Sequence, residues 1–132
     1  MKILVLVLAI SIFSSCSGDS PVHLSGSDSL VINFNEPQSN SIEKTVNTTE
    51  VNAIKKLARF TGGESAPEYK CGYDGNLQFY KNGELSGDIS FNYSGENCRH
   101  FIQMKEGKLT STKMSNEAAD FLKSLREGRS WY

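Results

Sequence analysis

The sequence predicts an α+β fold, an antiparallel β-meander of four or more strands packed with two amphipathic helices and braced by one disulfide. Three observations lead to this prediction. Alternating apolar residues flank an Asn-Gly pair at residues 77–93, the pattern of a β-hairpin. Apolar residues recur at helical spacing in residues 51–58 and 118–125. Two cysteines, Cys71 and Cys98, bracket the hairpin.

Residues 1–15 have the pattern of an export signal rather than of folded structure. Lys2 is a positive charge, residues 3–13 are almost uninterrupted apolar, and small residues precede Cys16. The apolar run is too short to span a bilayer as a helix, which takes about 20 residues. We therefore expect the chain to leave the cytoplasm.

The end of this leader, Phe13-Ser14-Ser15-Cys16, resembles the lipobox of bacterial lipoproteins. The resemblance implies cleavage before Cys16, a thioether-linked diacylglycerol and an amide-linked acyl chain such as palmitate. Several acyl chains make release from a membrane very slow. The residue directly after Cys16 is Ser17 rather than an acidic residue. In this it is similar to enterobacterial lipoproteins that are sent to the outer membrane. The alternative is an ordinary secretory signal followed by an unrelated cysteine.

The length and composition of the chain after the leader allow one small domain. Residues 16–29 are rich in Ser and Gly and predict a flexible tether, which leaves residues 30–132 as a single α+β domain. The chain has 14 Lys and Arg against 15 Asp and Glu, so no basic surplus suggests a nucleic-acid partner. His23, in the tether, has no neighbours at metal-ligand spacing.

The first half of the domain predicts two strands and a helix. Residues 30–34 place Leu30, Ile32 and Phe34 on one side, as a half-buried strand does, and residues 42–46 predict a second short strand with Ile42 and Val46 on one face. Asn47 is a good N-cap for the helix, and Glu50 would complete a capping box. The apolar stripe of this helix comprises Val51, Ile54, Leu57 and Ala58. Gly62 and Gly63 would end it.

Lys55, Lys56 and Arg59 fall on the opposite side of this helix. A solvated helix face is the simpler interpretation of three charges, and docking on anionic lipid is the alternative.

Register in the hairpin favours a three-residue loop. A two-residue loop would set Leu77 opposite Asp88 and so mix apolar with polar side chains on one face. A three-residue loop of residues 81–83, with Gly83 in a left-handed bulge, sets Phe79 opposite Leu85 instead.

The second half of the domain predicts two more strands and a helix. The strands are residues 98–104 and 109–113, joined by a tight turn that contains Gly107. Ser115 would cap the terminal helix and Gly128 would end it. The apolar stripe of this helix comprises Ala118, Phe121, Leu122 and Leu125.

Cys71 and Cys98 are expected to form a disulfide. Export to an oxidising periplasm favours it, and lipidation would remove Cys16 from the thiols. In an antiparallel meander, the residue before the first strand and the residue that starts the third lie at the same end of the sheet. Closing this loop would stabilise the domain by about 3 to 4 kcal/mol.

The alternative use of these residues is chemical. Reduced Cys71 and Cys98, with Asp74 and His100, would offer donors for zinc or copper, and one free thiol with His100 would be a candidate nucleophile and base. The expected disulfide argues against both. Neither a Gly-x-Ser-x-Gly elbow nor a phosphate-binding Gly-rich loop occurs. We expect no enzyme activity and no cofactor.

The sequence therefore predicts a membrane-anchored lipoprotein of the cell envelope that acts as a non-enzymatic binding or interaction module. Its partners would be the membrane, through the lipid anchor, and an envelope protein. Tyr69, Tyr73, Tyr80 and Tyr93 are either contact groups for that protein or half-buried residues of the sheet. Residues 70–75 (Lys-Cys-Gly-Tyr-Asp-Gly), ahead of residues 98–100 (Cys-Arg-His), are similar to those of small Bacteroidota-type lipoproteins. That resemblance implies no particular activity.

Overall fold

Six antiparallel strands form one sheet in the order β2-β1-β3-β4-β5-β6, with helices packed on one face. The computed structural model describes residues 22–67, 70–129 and 131. Its elements are α1 (Val22–Ser25), β1 (Ser29–Asn35), β2 (Ile42–Thr48), α2 (Val51–Phe60), β3 (Gly75–Lys81), β4 (Glu84–Asn92), β5 (His100–Lys105), β6 (Lys108–Lys113) and α3 (Asn116–Arg126). The α+β class, the antiparallel sheet and the disulfide are confirmed.

The hairpin of β3 and β4 corrects the predicted register. Lys81 pairs with Glu84, so the loop has two residues, Asn82 and Gly83, with φ of 52° and 78°. Positive φ at both positions is the mark of a type I′ turn, whose twist suits paired strands. A bulge beside Phe79 then shifts the register, so that Leu77 faces Ile89. The predicted three-residue loop is therefore wrong, because the bulge rather than the loop brings the apolar residues together.

The start of α2 also differs from the prediction. Strand β2 continues to Thr48, so Asn47 belongs to the sheet and cannot cap the helix. The N-cap is Glu50, which makes no side-chain cap bond, while the Thr48 hydroxyl accepts the Glu50 backbone N–H at 3.0 Å. Val51 is 54% exposed, so it lies off the buried stripe on which the sequence placed it. The pairing of β2 with β1 decides where the helix can begin.

Helix α3 begins and ends where the sequence predicts. Ser115 is its N-cap, and the Ser115 hydroxyl accepts the Ala118 backbone N–H at 3.1 Å. Ala118, Leu122 and Leu125 are buried against the sheet. Gly128, with φ of 83°, comes after the last turn in the left-handed region that glycine tolerates best.

The core lies between the helices and one face of the sheet. Alternate apolar residues of β1, β3 and β4 point into it, with Phe34, Phe79, Phe91 and Phe101 among the largest buried side chains. Phe34 and Phe91 pack edge to face with ring centroids 5.9 Å apart. The described helices contribute their buried residues to this core, whereas residues on the opposite face such as Asp88, Met104 and Leu109 are exposed.

The folded part of the chain begins earlier than the sequence suggests. Leu24 of α1 is 2% exposed and belongs to the core, and the Ser27 hydroxyl lies 3.0 Å from that of Ser86. Leu24 and Ser27, which the sequence assigns to the tether, therefore contact the folded domain. Leu24 lies in a segment rich in Ser and Gly, so the sequence pattern does not predict that it is buried. Its contacts in the folded structure show that it is. The leader and Cys16 lie outside the described residues.

Candidate functional site

On the uncovered face of the sheet, polar side chains of β2, β1, β3 and β4 form one chain of hydrogen bonds, which we call the amide network after Asn33 and Asn76 at its centre. The Thr45 hydroxyl donates to Asn33 Oδ1 at 2.8 Å, and Asn33 Nδ2 donates to Asn76 Oδ1 at 3.1 Å. Asn76 Nδ2 in turn donates to Asp88 Oδ1 at 2.8 Å. Asp88 accepts a second bond from Gln78 Nε2 at 3.4 Å. These polar residues alternate with the buried apolar ones, so the strand period places all of them on one face.

The same face becomes apolar at β5 and β6. Met104 pairs directly with Leu109, and the two side chains are 63% and 58% exposed. Ile102, two residues before Met104, lies on this face as well and is half-buried. Large apolar side chains that are exposed together indicate an interaction site, whereas scattered ones are normal on a protein surface.

A shallow groove joins the two regions. It has a volume of about 370 Å³, within the lower range of ligand sites. We call it the sheet groove and define it by six of its lining residues, Tyr73, Asn76, Asp88, Ile102, Met104 and Leu109. Its lining residues come from paired strands of the sheet and from the loop before β3, and they combine hydrogen-bonding groups with apolar contact area.

Tyr73 is held at the groove by the loop that contains Cys71. The disulfide joins Cys71 to Cys98 with their Cα atoms 6.1 Å apart. The Asp74 carboxylate accepts the backbone N–H groups of Tyr93 at 2.7 Å and Ser94 at 2.8 Å. These links fix the loop to the end of β4, so Tyr73 remains 41% exposed at a defined place.

The metal and thiol alternatives find no support in this arrangement. The disulfide leaves neither Cys71 nor Cys98 a thiolate to offer. The Asp74 carboxylate is occupied by backbone N–H groups and by the Ser94 hydroxyl at 3.0 Å. His100 is fully buried, with Nδ1 against the Cys98 carbonyl oxygen. In residues 22–67, 70–129 and 131, no three His, Cys, Asp or Glu side chains approach as metal ligands would.

The aromatic residues proposed as contact groups have different surroundings. Tyr73 is exposed, Tyr80 is half-buried, and Tyr93 is 7% exposed with its ring in the core. Tyr69 lies outside the described residues. Only Tyr73 of the described tyrosines lines the sheet groove.

A second cavity, of about 630 Å³, lies beside Arg126 near the end of α3. The Arg126 guanidinium donates to the Tyr93 hydroxyl at 3.0 Å and pairs with the Glu43 carboxylate. The bonds to Tyr93 and Glu43 raise the pKa of Arg126 above its ordinary value, in that order of importance. Lys44 Nζ donates to the Arg126 carbonyl at 2.8 Å. These groups satisfy one another and tie α3 to β2, which is a structural role.

Comparisons with protein-family models, with curated proteins and with solved structures found no match to this chain. None of the described helices is long and apolar enough to cross a membrane.

Sequence reasoning did not identify the sheet groove. The sequence shows that polar residues alternate with apolar ones at Asn33, Asn76, Gln78 and Asp88. This alternation indicates only that the polar side chains face away from a core. Which strands are neighbours, and therefore that amides of β1 and β3 meet, depends on the strand order. Met104 and Leu109 likewise become one patch only through their pairing.

Proposed function

We propose that this protein is a lipid-anchored lipoprotein of the cell envelope that binds a partner protein in the sheet groove, without enzymatic activity of its own. One observation carries the proposal. Of the six large apolar side chains that are most exposed among the described residues, three line this one groove, namely Tyr73, Met104 and Leu109.

The groove has the composition of a protein-binding surface. Aromatic residues and Met are enriched where proteins meet, and hydrogen-bonding groups beside them give orientation and specificity. Asp88 supplies an exposed negative charge next to the apolar patch. The amide network is itself hydrogen-bonded, so its geometry is set before a partner arrives, which lowers the entropy lost on binding.

The proposal includes the finer description of the scaffold and of its anchor. The scaffold is a meander from β3 to β6 flanked by two amphipathic helices, which is supported by the strand order and by the buried residues of α2 and α3. The anchor is Cys16, carrying a diacylglycerol and an acyl chain at the outer membrane, which is supported by the resemblance of residues 13–16 to a lipobox.

The binding claim is tested with two variants that change equally exposed residues. Leu109 and Ile42 are both 58% exposed, but Leu109 lines the groove whereas Ile42 lies in the edge strand β2. The lipidated protein and its Leu109→Glu and Ile42→Glu variants are cross-linked in the envelope, purified and analysed by quantitative mass spectrometry. A partner should be recovered equally with the parent and with Ile42→Glu, and at least about tenfold less with Leu109→Glu.

Equal recovery of every cross-linked protein with Leu109→Glu would refute the assignment of the groove. Mass spectrometry of the mature N-terminus tests the anchor separately. An acylated Cys16 is expected, and an unmodified N-terminus elsewhere would refute the lipoprotein assignment.

A further inference from the structure

The outer side of α2 carries three cations and no acid. Lys55 and Arg59 are exposed, Lys56 is half-buried, and the ten residues of the helix include no Asp or Glu. We call these three residues the α2 basic face. The chain as a whole has slightly more acidic than basic residues, so this face concentrates positive charge in one place.

Within the described residues, the ion pairs at Lys113, Arg126 and Arg129 do not involve this face. Two of the three cations, Lys56 and Arg59, instead lie over aromatic rings. Lys56 Nζ is 4.1 Å from the centroid of the Phe121 ring, and the Arg59 guanidinium carbon is 5.7 Å from that of Phe60. Cation–π contacts hold these groups without removing their charge.

The position of α1 brings this face close to the membrane. Leu24 is buried in the core, and α1 packs against α2. The chain from Cys16 to Val22 therefore has only six residue steps, and at about 3.5 Å per residue it spans at most about 20 Å. The tether of residues 16–29 that the sequence predicts would have reached about 45 Å. The short connection enters the domain beside α2, on the helix-covered side of the sheet.

We propose that the α2 basic face docks on the anionic surface of the membrane that holds the lipid anchor. This inference rests on the proposed anchor at Cys16. Negative headgroups supply the charge that the described structure does not place against Lys55, Lys56 and Arg59. Each such residue close to an anionic surface strengthens binding by about fivefold.

Docking through α2 also orients the sheet groove. The helices cover one face of the sheet and the groove lies on the other. When the α2 basic face contacts the bilayer, the groove points away from it, toward proteins in the adjoining space. The anchor, the helix and the groove thus form one arrangement, in which the membrane holds one side and a partner reaches the other.

Lysine modification on vesicles tests the orientation. The lipidated protein is added to preformed vesicles of phosphatidylglycerol or of phosphatidylcholine and treated with a membrane-impermeant acetylating reagent. Peptide mass spectrometry then gives the rate at each lysine. Lys55 should react at least about fivefold more slowly on phosphatidylglycerol than on phosphatidylcholine. Lys108 is also exposed but lies next to the turn between β5 and β6, and it should react at the same rate on both.

Charge reversal and salt provide the controls. Arg59→Glu changes the local charge by two units and should weaken docking about 25-fold, which restores Lys55 reactivity on phosphatidylglycerol. Lys108→Glu changes the total charge equally and should leave Lys55 protected. Raising the salt to about 1 M, where charges are screened within about 3 Å, should also release the face.

Three results would overturn the inference: equal Lys55 rates on the two lipids, equal slowing of Lys55 and Lys108 on phosphatidylglycerol, or the same Lys55 protection by dissolved glycerol phosphate without anionic vesicles. The last would indicate a site for a soluble anion. The mass of the N-terminus separates this inference from the proposed function. An unlipidated Cys16 refutes the anchor and with it the docking, and leaves the groove to the cross-linking test. A lipidated protein with unprotected Lys55 refutes only the docking.

Discussion

Gly75 occupies the position in the sheet where an added methyl group has the least room. It is buried at the start of β3, paired with Phe34 on one side and Phe91 on the other. A Cβ atom there would meet the Asn33 carbonyl oxygen at a distance that real side chains do not adopt, and would lie 2.7 Å from Cζ of Phe91. The carbonyl belongs to the backbone of a neighbouring strand, so relief requires that β1 and β3 separate locally.

The expected effect of Gly75→Ala is large for one methyl group. Overpacking of a well-filled core costs about 1 to 3 kcal/mol. A clash with backbone belongs at the upper end, so we expect the free energy of unfolding to fall by about 3 kcal/mol. With an unfolding entropy of about 2.1 cal/mol/K per residue, a domain of about 110 residues should melt about 13 °C lower.

Gly72→Ala is the matched control. A Cβ atom at Gly72 would meet nothing within 4 Å, and this glycine is not among the residues with positive φ. Removing backbone freedom from the unfolded chain should therefore leave stability unchanged or raise it by up to about 1 kcal/mol. Urea titrations followed by circular dichroism measure both variants. A Gly75→Ala protein as stable as Gly72→Ala would refute the strand packing described around Phe34 and Phe91.

Three further changes test separate parts of the fold. Replacing both Cys71 and Cys98 by Ser opens a loop with a sequence separation of 27. The free energy of unfolding, measured by urea titration, should fall by about 3.6 kcal/mol. A change below about 1 kcal/mol would contradict the chain-entropy estimate. Ser115→Ala should cost about 1 kcal/mol through loss of the α3 N-cap, whereas Asn47→Ala, which removes no cap, should cost less in the same titration. Arg126→Met should speed amide hydrogen exchange in the last turn of α3, and unchanged exchange there would show that the bonds to β2 do not hold this helix end.

Several elements could be predicted from local pattern alone. Helix α3 was predictable because the Ser115 cap, the apolar stripe and Gly128 lie within one continuous segment. Strands β1 and β6 were predictable for the same reason. The disulfide was predicted from the expected oxidising compartment and from the positions of the two cysteines in a meander, and the structure contains it.

The errors share one physical origin, which is that contacts distant in sequence overrode local preference. Asn47 is a better cap than Glu50, but pairing with β1 keeps it in β2. Without a bulge, a two-residue turn at Asn82 and Gly83 sets Leu77 opposite Asp88, whereas the bulge beside Phe79 places Leu77 opposite Ile89. A bulge leaves no reliable pattern in a short strand, since any residue that fits the local twist can occupy it.

Local signals in the sequence were enough to specify the apolar periodicity of strands and helices, the cap and stop of α3, and the two cysteines that pair. Tertiary structure alone decided which strands are neighbours, that Leu24 is core, and that Tyr73, Met104 and Leu109 line one groove. The physical reason is that a side chain's type fixes whether it prefers water or a core, whereas its neighbours depend on how the whole chain excludes water at once.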